Sequence, residues 1–125
     1  MPKPQKVIPI FTTSGDVGAF LLYPYIYSAS GEWIGWVNFD RLVYSVHGHY
    51  VGTLSNDPRI LRRRESDEVR ARQTPPSMPK PIHPPSVLPL PPQLPELTMG
   101  MIDVLEEAPH LLPPIDFGEL RDDMD

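Results

Sequence analysis

The sequence predicts an all-β fold: a small ring of four antiparallel hairpin units, followed by a largely disordered, proline-rich acidic tail. Three observations carry this. Aliphatic-Gly pairs start at Val17, Ile34 and Val51, a repeat with a step of 17 residues. Around them, short β-branched and aromatic runs alternate with glycine turn signals, with no helical periodicity. Of the 18 prolines, five lie in residues 1–73 and thirteen between Pro75 and Pro114. A repeated unit that cannot bury its own apolar face must stack or close with its neighbours, so the repeat itself implies a shared core.

Residues 1–6 form an N-terminal arm, followed by too short an apolar stretch for a signal peptide. The repeat domain spans 7–64. Its first complete unit has Tyr25-Ile26-Tyr27, a turn at Ser30-Gly31 and the strand Trp33-Ile34-Gly35-Trp36-Val37. The next has Leu42-Val43-Tyr44, His47-Gly48 and Tyr50-Val51-Gly52-Thr53-Leu54. One residue shorter, Ile10-Phe11 and Ser14-Gly15-Asp16-Val17-Gly18 extend the pattern upstream. Arg59-Ile60-Leu61 opens a fourth unit, in which Glu65 stands where the turn glycine belongs. Gly15, Gly31 and Gly48 occupy slots where a tight hairpin turn needs positive φ. Gly18, Gly35 and Gly52 follow an aliphatic residue within a strand, where glycine marks a bulge, a bend or a close backbone approach.

The units Gly31-Glu32-Trp33-Ile34-Gly35-Trp36-Val37 and Gly48-His49-Tyr50-Val51-Gly52 each follow an aliphatic-Tyr-Ser strand, and the second leads into Asn56-Asp57-Pro58-Arg59-Ile60-Leu61. Over residues 7–64 this pattern resembles the bacterial four-fold β-flower proteins. The resemblance implies a shallow, barrel-like ring of hairpins with an apolar centre, loosely similar to the Tubby C-terminal-like fold. It implies no activity, because none is established for that family.

A charged linker, 65–73, precedes the tail, 74–125. Charge divides at the same place: residues 1–73 hold nine Lys/Arg against seven Asp/Glu, the remainder two against nine, which sums to the net charge of −5. An acidic tail on a weakly basic head argues against nucleic acid as a partner, since phosphate neutralisation supplies most of that affinity. From Pro75 to Pro95 the chain should be extended without a core of its own. The P-x-x-P spacings at Pro76-Ser77-Met78-Pro79, Pro81-Ile82-His83-Pro84 and Pro92-Gln93-Leu94-Pro95 suit an aromatic groove, though so much proline generates such spacings by chance. Residues 101–108 have the spacing of a short amphipathic helix with Met101, Val104, Leu105 and Ala108 on one face, and residues 111–125 read as an acidic-hydrophobic peptide that folds on a partner. The triplet Asp116-Phe117-Gly118 has none of the companions that would make it a kinase motif.

Candidates for chemistry are few. His47 and His49 share a strand face but amount to two ligands where a metal site normally needs three or four, so no cofactor or metal is expected. Glu32 and Asp40 are turn carboxylates with nothing apolar around them to raise a pKa, and no nucleotide or metalloprotease motif occurs, so the chain is not expected to be an enzyme. Absent cysteine and any apolar run of about 20 residues, the expectation is a soluble cytoplasmic protein. Two readings remain. The first is a non-enzymatic interaction or scaffold module whose tail binds an unknown protein partner or a second copy. The alternative is a binder of an apolar small molecule or anionic lipid, with Trp33, Trp36, Tyr27 and Tyr44 lining the ring centre and Arg62, Arg63 and Arg64 meeting the head group.

Overall fold

The computed structural model describes residues 6–65 and 70–115. Eight strands follow one another as a single antiparallel meander: β1 (Ile8–Phe11), β2 (Val17–Leu22), β3 (Tyr25–Ser28), β4 (Trp33–Val37), β5 (Leu42–Ser45), β6 (Tyr50–Leu54), β7 (Ile60–Arg63) and β8 (Met101–Asp103). One turn of helix, α1 (Val104–Glu107), and a 3-10 turn at Pro109–Leu111 follow. The hairpins are β1–β2, β3–β4, β5–β6 and β7–β8. In the first three the register slips at corresponding points, between Ile10 and Phe11, Ile26 and Tyr27, and Val43 and Tyr44. Such a slip bends and twists a strand, and repeated three times it curls the sheet on itself.

Each hairpin tip carries a glycine at positive φ: Gly15 at 99°, Gly31 at 90°, Gly48 at 87° and Gly100 at 86°. The fourth tip departs from the sequence reading. Glu65 does not make the turn; the chain leaves β7, runs through residues 64–100, and returns as β8, with Leu61, Arg62 and Arg63 paired to Asp103, Ile102 and Met101. A domain ending at residue 64 therefore lacks the last strand of its own sheet. For the same reason the helix expected over residues 101–108 is confined to Val104–Glu107. An eight-residue helix is marginal by itself, whereas β7 offers a row of backbone groups that need partners. Asp103 marks the change of structure, extended at φ −89° and ψ 113°, its side chain accepting the Leu105 N–H as an N-cap.

The core explains the 17-residue step. Ile10, Ile26, Val43 and Ile60, one from each hairpin, are all fully buried, and Leu21, Val37, Leu54 and Val104 form a second set around the same centre. Complete burial of such a side chain stabilises by roughly 1.5–3 kcal/mol, so the four-fold set is the chief reason for the ring to close. Leu112, with the half-buried Leu105 and Leu111, packs against this core from the C-terminal segment. The bend glycines provide the room. A Cβ on Gly18 would sit 2.9 Å from Leu105 Cδ1, and one on Gly35 would sit 2.9 Å from Leu112 Cδ2 and 2.5 Å from the Tyr44 carbonyl oxygen.

Backbone bonds to acceptors 17 residues apart close the open ends of the β3–β4 and β5–β6 hairpins and join the first hairpin to the fourth. The Pro24 carbonyl accepts from Val37 N (2.8 Å), Arg41 from Leu54 N (2.9 Å) and Pro58 from Phe11 N (2.9 Å). The third of these bonds brings β1 to the turn before β7 and so closes the circle. Among the described residues β1 and β8 share no ladder; polar side chains bridge that gap. Asp103 Oδ2 accepts from Thr13 N (2.7 Å) and Thr13 Oγ1 (2.8 Å), and Glu106 Oε1 accepts from Ser14 N (2.7 Å) and Ser14 Oγ (2.6 Å).

Candidate functional site

Outside this core the proline-rich segment runs as a belt across the hairpin tips. Gln73 N donates to the Gly48 carbonyl (2.9 Å) and Ile82 N to the Gly31 carbonyl (3.0 Å), while Pro91 Cγ lies 3.7 Å from where a Cβ of Gly15 would be. Residues 73, 82 and 91, and then Gly100 itself, are nine apart. The belt thus visits the third, second, first and fourth tips in turn. A Cβ on Gly48 or Gly31 would run into the carbonyl oxygen of Gln73 or Ile82, so only glycine lets the two backbones approach so closely. Arg72 Nε donates to the His47 carbonyl (2.5 Å) and the Tyr25 hydroxyl to the Ser77 carbonyl (3.0 Å).

Beneath the belt lies an aromatic face. Phe20, Tyr27, Trp33 and Val46 form a buried cluster, with Tyr25, Trp36 and Ile82 packed against it. Tyr25 meets Trp33 edge-on at 6.2 Å between ring centroids, Trp36 stacks on Tyr44 at 4.7 Å, and the Arg70 guanidinium lies 4.6 Å over Tyr50. The indole N–H groups are satisfied by backbone, Trp33 by the Gly35 carbonyl (2.7 Å) and Trp36 by that of Ser45 (3.2 Å). Burial, with the neighbouring Tyr25 adding to it, raises the Tyr27 hydroxyl above its ordinary pKa.

This arrangement differs from an aromatic-lined ring centre. The shared core is aliphatic, and Tyr27 and Trp33 belong to a separate cluster. The reason is strand alternation: Ile26 and Val43 point to the centre, and the next residue on each strand, Tyr27 or Tyr44, faces the other way. Nor do the three consecutive arginines act together. Arg62 Nη1 donates to the Val51 carbonyl (3.0 Å), Arg64 pairs with Glu107 (2.9 Å) at the surface, and Arg63 is exposed. Arg63 and Arg64, but not Arg62, border a cleft of about 840 Å³, between β7 and residues 95–101, that Arg59, Asp57, Glu96 and Met99 also line. His47 and His49 are both exposed at the third tip, and no three potential metal ligands come together among the described residues.

The polar group that sequence reasoning missed is buried at the point of closure. Arg59, 3% exposed, binds Asp57 Oδ2 through Nη2 (2.7 Å) and Nε (3.1 Å). Its Nη1 donates to Thr13 Oγ1 (3.1 Å), and that hydroxyl donates onward to Asp103. Burial pushes the Asp57 carboxyl upward, but hydrogen bonds from Arg59 and Ser55 and the Arg59 charge outweigh it and hold the group below its ordinary value. Every member has a hydrogen-bond partner, so the set positions chain segments at the point of closure, and its Asp57 and Arg59 also line the cleft beside β7. Asp103-x-x-Glu106 has the spacing of a helix-capping pair, which was the available signal for where α1 starts.

A curled eight-strand meander built from four like hairpins around one aliphatic core defines a class of small β-ring proteins. The model of the 4-fold beta flower protein family matches residues 8–102, and the chain belongs to that family. The matched span includes the belt and most of β8. No curated protein and no solved structure matches the chain. No helix among the described residues is long and apolar enough to cross a membrane.

Proposed function

We propose that the chain is a non-enzymatic protein-interaction module: the ring is a rigid base, and the proline-rich segment it carries presents a binding edge to another protein. One observation carries this. Between the belt positions at Ile82 and Pro91, Val87 (82%), Leu88 (50%) and Leu90 (91%) are exposed. Apolar side chains on a segment tied to the ring at Ile82 and passing beside Gly15 at Pro91 are already partly ordered, so a partner need not bear the whole ordering entropy of a free peptide. A cytoplasmic setting is consistent with the lack of cysteine. The reading in which the ring centre holds an apolar molecule or lipid has no comparable support, because Val104, Leu105 and Leu112 pack there.

The test compares the wild-type chain with Val87→Asp/Leu88→Asp/Leu90→Asp, both tagged and expressed in the source organism. Quantitative mass spectrometry should find partners retained by the first and lost by the second at equal melting temperature. Light scattering separates self-association from binding to another protein. Identical partner sets and identical mass for the two chains would remove the basis of the proposal.

A further inference from the structure

We propose that the aromatic outer face of the second hairpin is a binding site for an extended peptide of the pattern Pro-x-x-Pro-x-x-aliphatic. In this structure residues 76–82 of the same chain fill it, as an intramolecular stand-in for a segment of another protein. This does not rest on the exposed edge at residues 87–90; it concerns the surface that the belt covers.

The pattern is read from burial. In the stretch 75–84, Pro75, Pro76, Pro79, Ile82 and Pro84 are half-buried and the rest exposed, and of these Pro76, Pro79 and Ile82 fall three apart. Buried positions three apart are one edge of a polyproline II helix, which has three residues per turn. The two polar contacts are of the kind that recognises such a peptide. The Tyr25 hydroxyl donates to the Ser77 carbonyl (3.0 Å), and the Gly31 carbonyl accepts the Ile82 N–H (3.0 Å). Ile82 completes the anchor by packing on the cluster of Phe20, Tyr27, Trp33 and Val46.

The site is built independently of what fills it. Tyr25 is braced by Tyr27 at 6.5 Å and by Trp33 at 6.2 Å, and the Trp33 indole is tied to the Gly35 carbonyl, so the wall stands when the peptide leaves. Gly31 has no Cβ to obstruct an incoming backbone. The occupant is lightly held: two hydrogen bonds and one aliphatic anchor secure seven residues, of which Pro76, Pro79 and Pro81 have no N–H to offer the ring. A tethered segment competes at an effective concentration on the order of 1 mM. An external peptide therefore displaces it only when it binds better or when the tethered copy is weakened.

The full-length chain and its Pro79→Ser/Ile82→Ser variant are titrated with a synthetic peptide of residues 74–85, followed by the fluorescence of the two tryptophans, Trp33 and Trp36. The variant should bind at least tenfold tighter than the wild type, and a peptide bearing the same two substitutions should bind neither. Adding Tyr25→Phe to the variant should weaken the peptide several-fold. Equal affinity for both chains, equal binding of the substituted peptide, or a variant that dimerises without taking up peptide would each overturn the site. Should the variant not fold, the wild type answers: a several-millimolar excess of peptide should speed hydrogen exchange at the Ile82 amide, and an unchanged rate overturns the proposal.

Discussion

The Asp103 carboxylate accepts the backbone N–H of Thr13 at 2.7 Å across 90 residues of sequence, and that bond joins the last strand of the ring to the first hairpin. Asp103 also takes the Thr13 hydroxyl and caps α1 through Leu105 N, at 1% exposure. Removing it strands two half-buried donors and a helix end. Asp103→Ala should lose about 3 kcal/mol, the scale of hydrogen bonds to a buried charge together with a lost cap. That lowers Tm by on the order of 10 °C, read by circular dichroism. Asp103→Asn keeps an acceptor and should lose less. An Ala variant melting with the wild type would mean that the ring closes without this contact.

Asp57 and Glu106 make stability depend on acid. Burial raises the Asp57 carboxyl, but Arg59 and Ser55 bring it below its ordinary 3.8, and hydrogen bonds from Ser14 hold Glu106 below its ordinary 4.5. The unfolded chain then takes up protons first, so the stabilisation is complete above the ordinary values and is lost as pH falls through the depressed ones. Urea midpoints should be level from about pH 7 to 5 and drop below about 4.5, where these two groups begin to titrate in the unfolded chain. Asp57→Asn should be less stable at pH 7 and show a shallower fall below pH 4. Parallel curves for the two chains would remove Asp57 from the account.

The first three hairpins were readable because their information is local: Ile26, Tyr27, Gly31 and Ile34 recur as Val43, Tyr44, Gly48 and Val51. The fourth was only half readable. Its return strand lies beyond the proline-rich residues 64–100, and Met101-Ile102-Asp103 holds no glycine, so the aliphatic-Gly signature is missing. Met101, Val104, Leu105 and Ala108 then favoured a helix on spacing alone, since nothing local shows that β7 needs a neighbour. The nine-residue spacing of Gln73, Ile82, Pro91 and Gly100 is likewise a distance between hairpin tips, a property of the folded ring. Thr13, Arg59 and Asp103 carry no mutual spacing at all, and only the fold makes them neighbours.

Gly31 and Gly100 separate turn strain from belt docking. Both have positive φ, at 90° and 86°, but a Cβ on Gly31 meets the Ile82 carbonyl, whereas one on Gly100 meets nothing within 4 Å. Gly100→Ala should cost about 1–2 kcal/mol, the left-handed penalty for an L-residue. Gly31→Ala adds to that the loss of the Ile82 contact, and limited proteolysis should then cut the belt near residues 76–84. Equal loss of stability and equal protease resistance in the two variants would mean that the belt does not depend on this tip.

Gly18 and Leu105 test whether the C-terminal segment is seated on the ring. Gly18 has no positive φ to protect, so alanine there is opposed by space alone, with Leu105 Cδ1 and Thr12 Cγ2 each 2.9 Å from the added carbon. Gly18→Ala should destabilise the wild-type chain, because a packed neighbour must move. Leu105→Ala removes one of the two obstacles, at the expense of its own half-buried contact with the core. In that background Gly18→Ala should be less damaging, giving a coupling of about 1 kcal/mol between contacting residues, where independent sites add within a few tenths. Denaturant unfolding of the four chains of the cycle measures it. Additive losses would place Leu105 away from β2 and leave the bend glycine without its role; a clear coupling would establish that β2 lacks a side chain at this position so that α1 can cover the core.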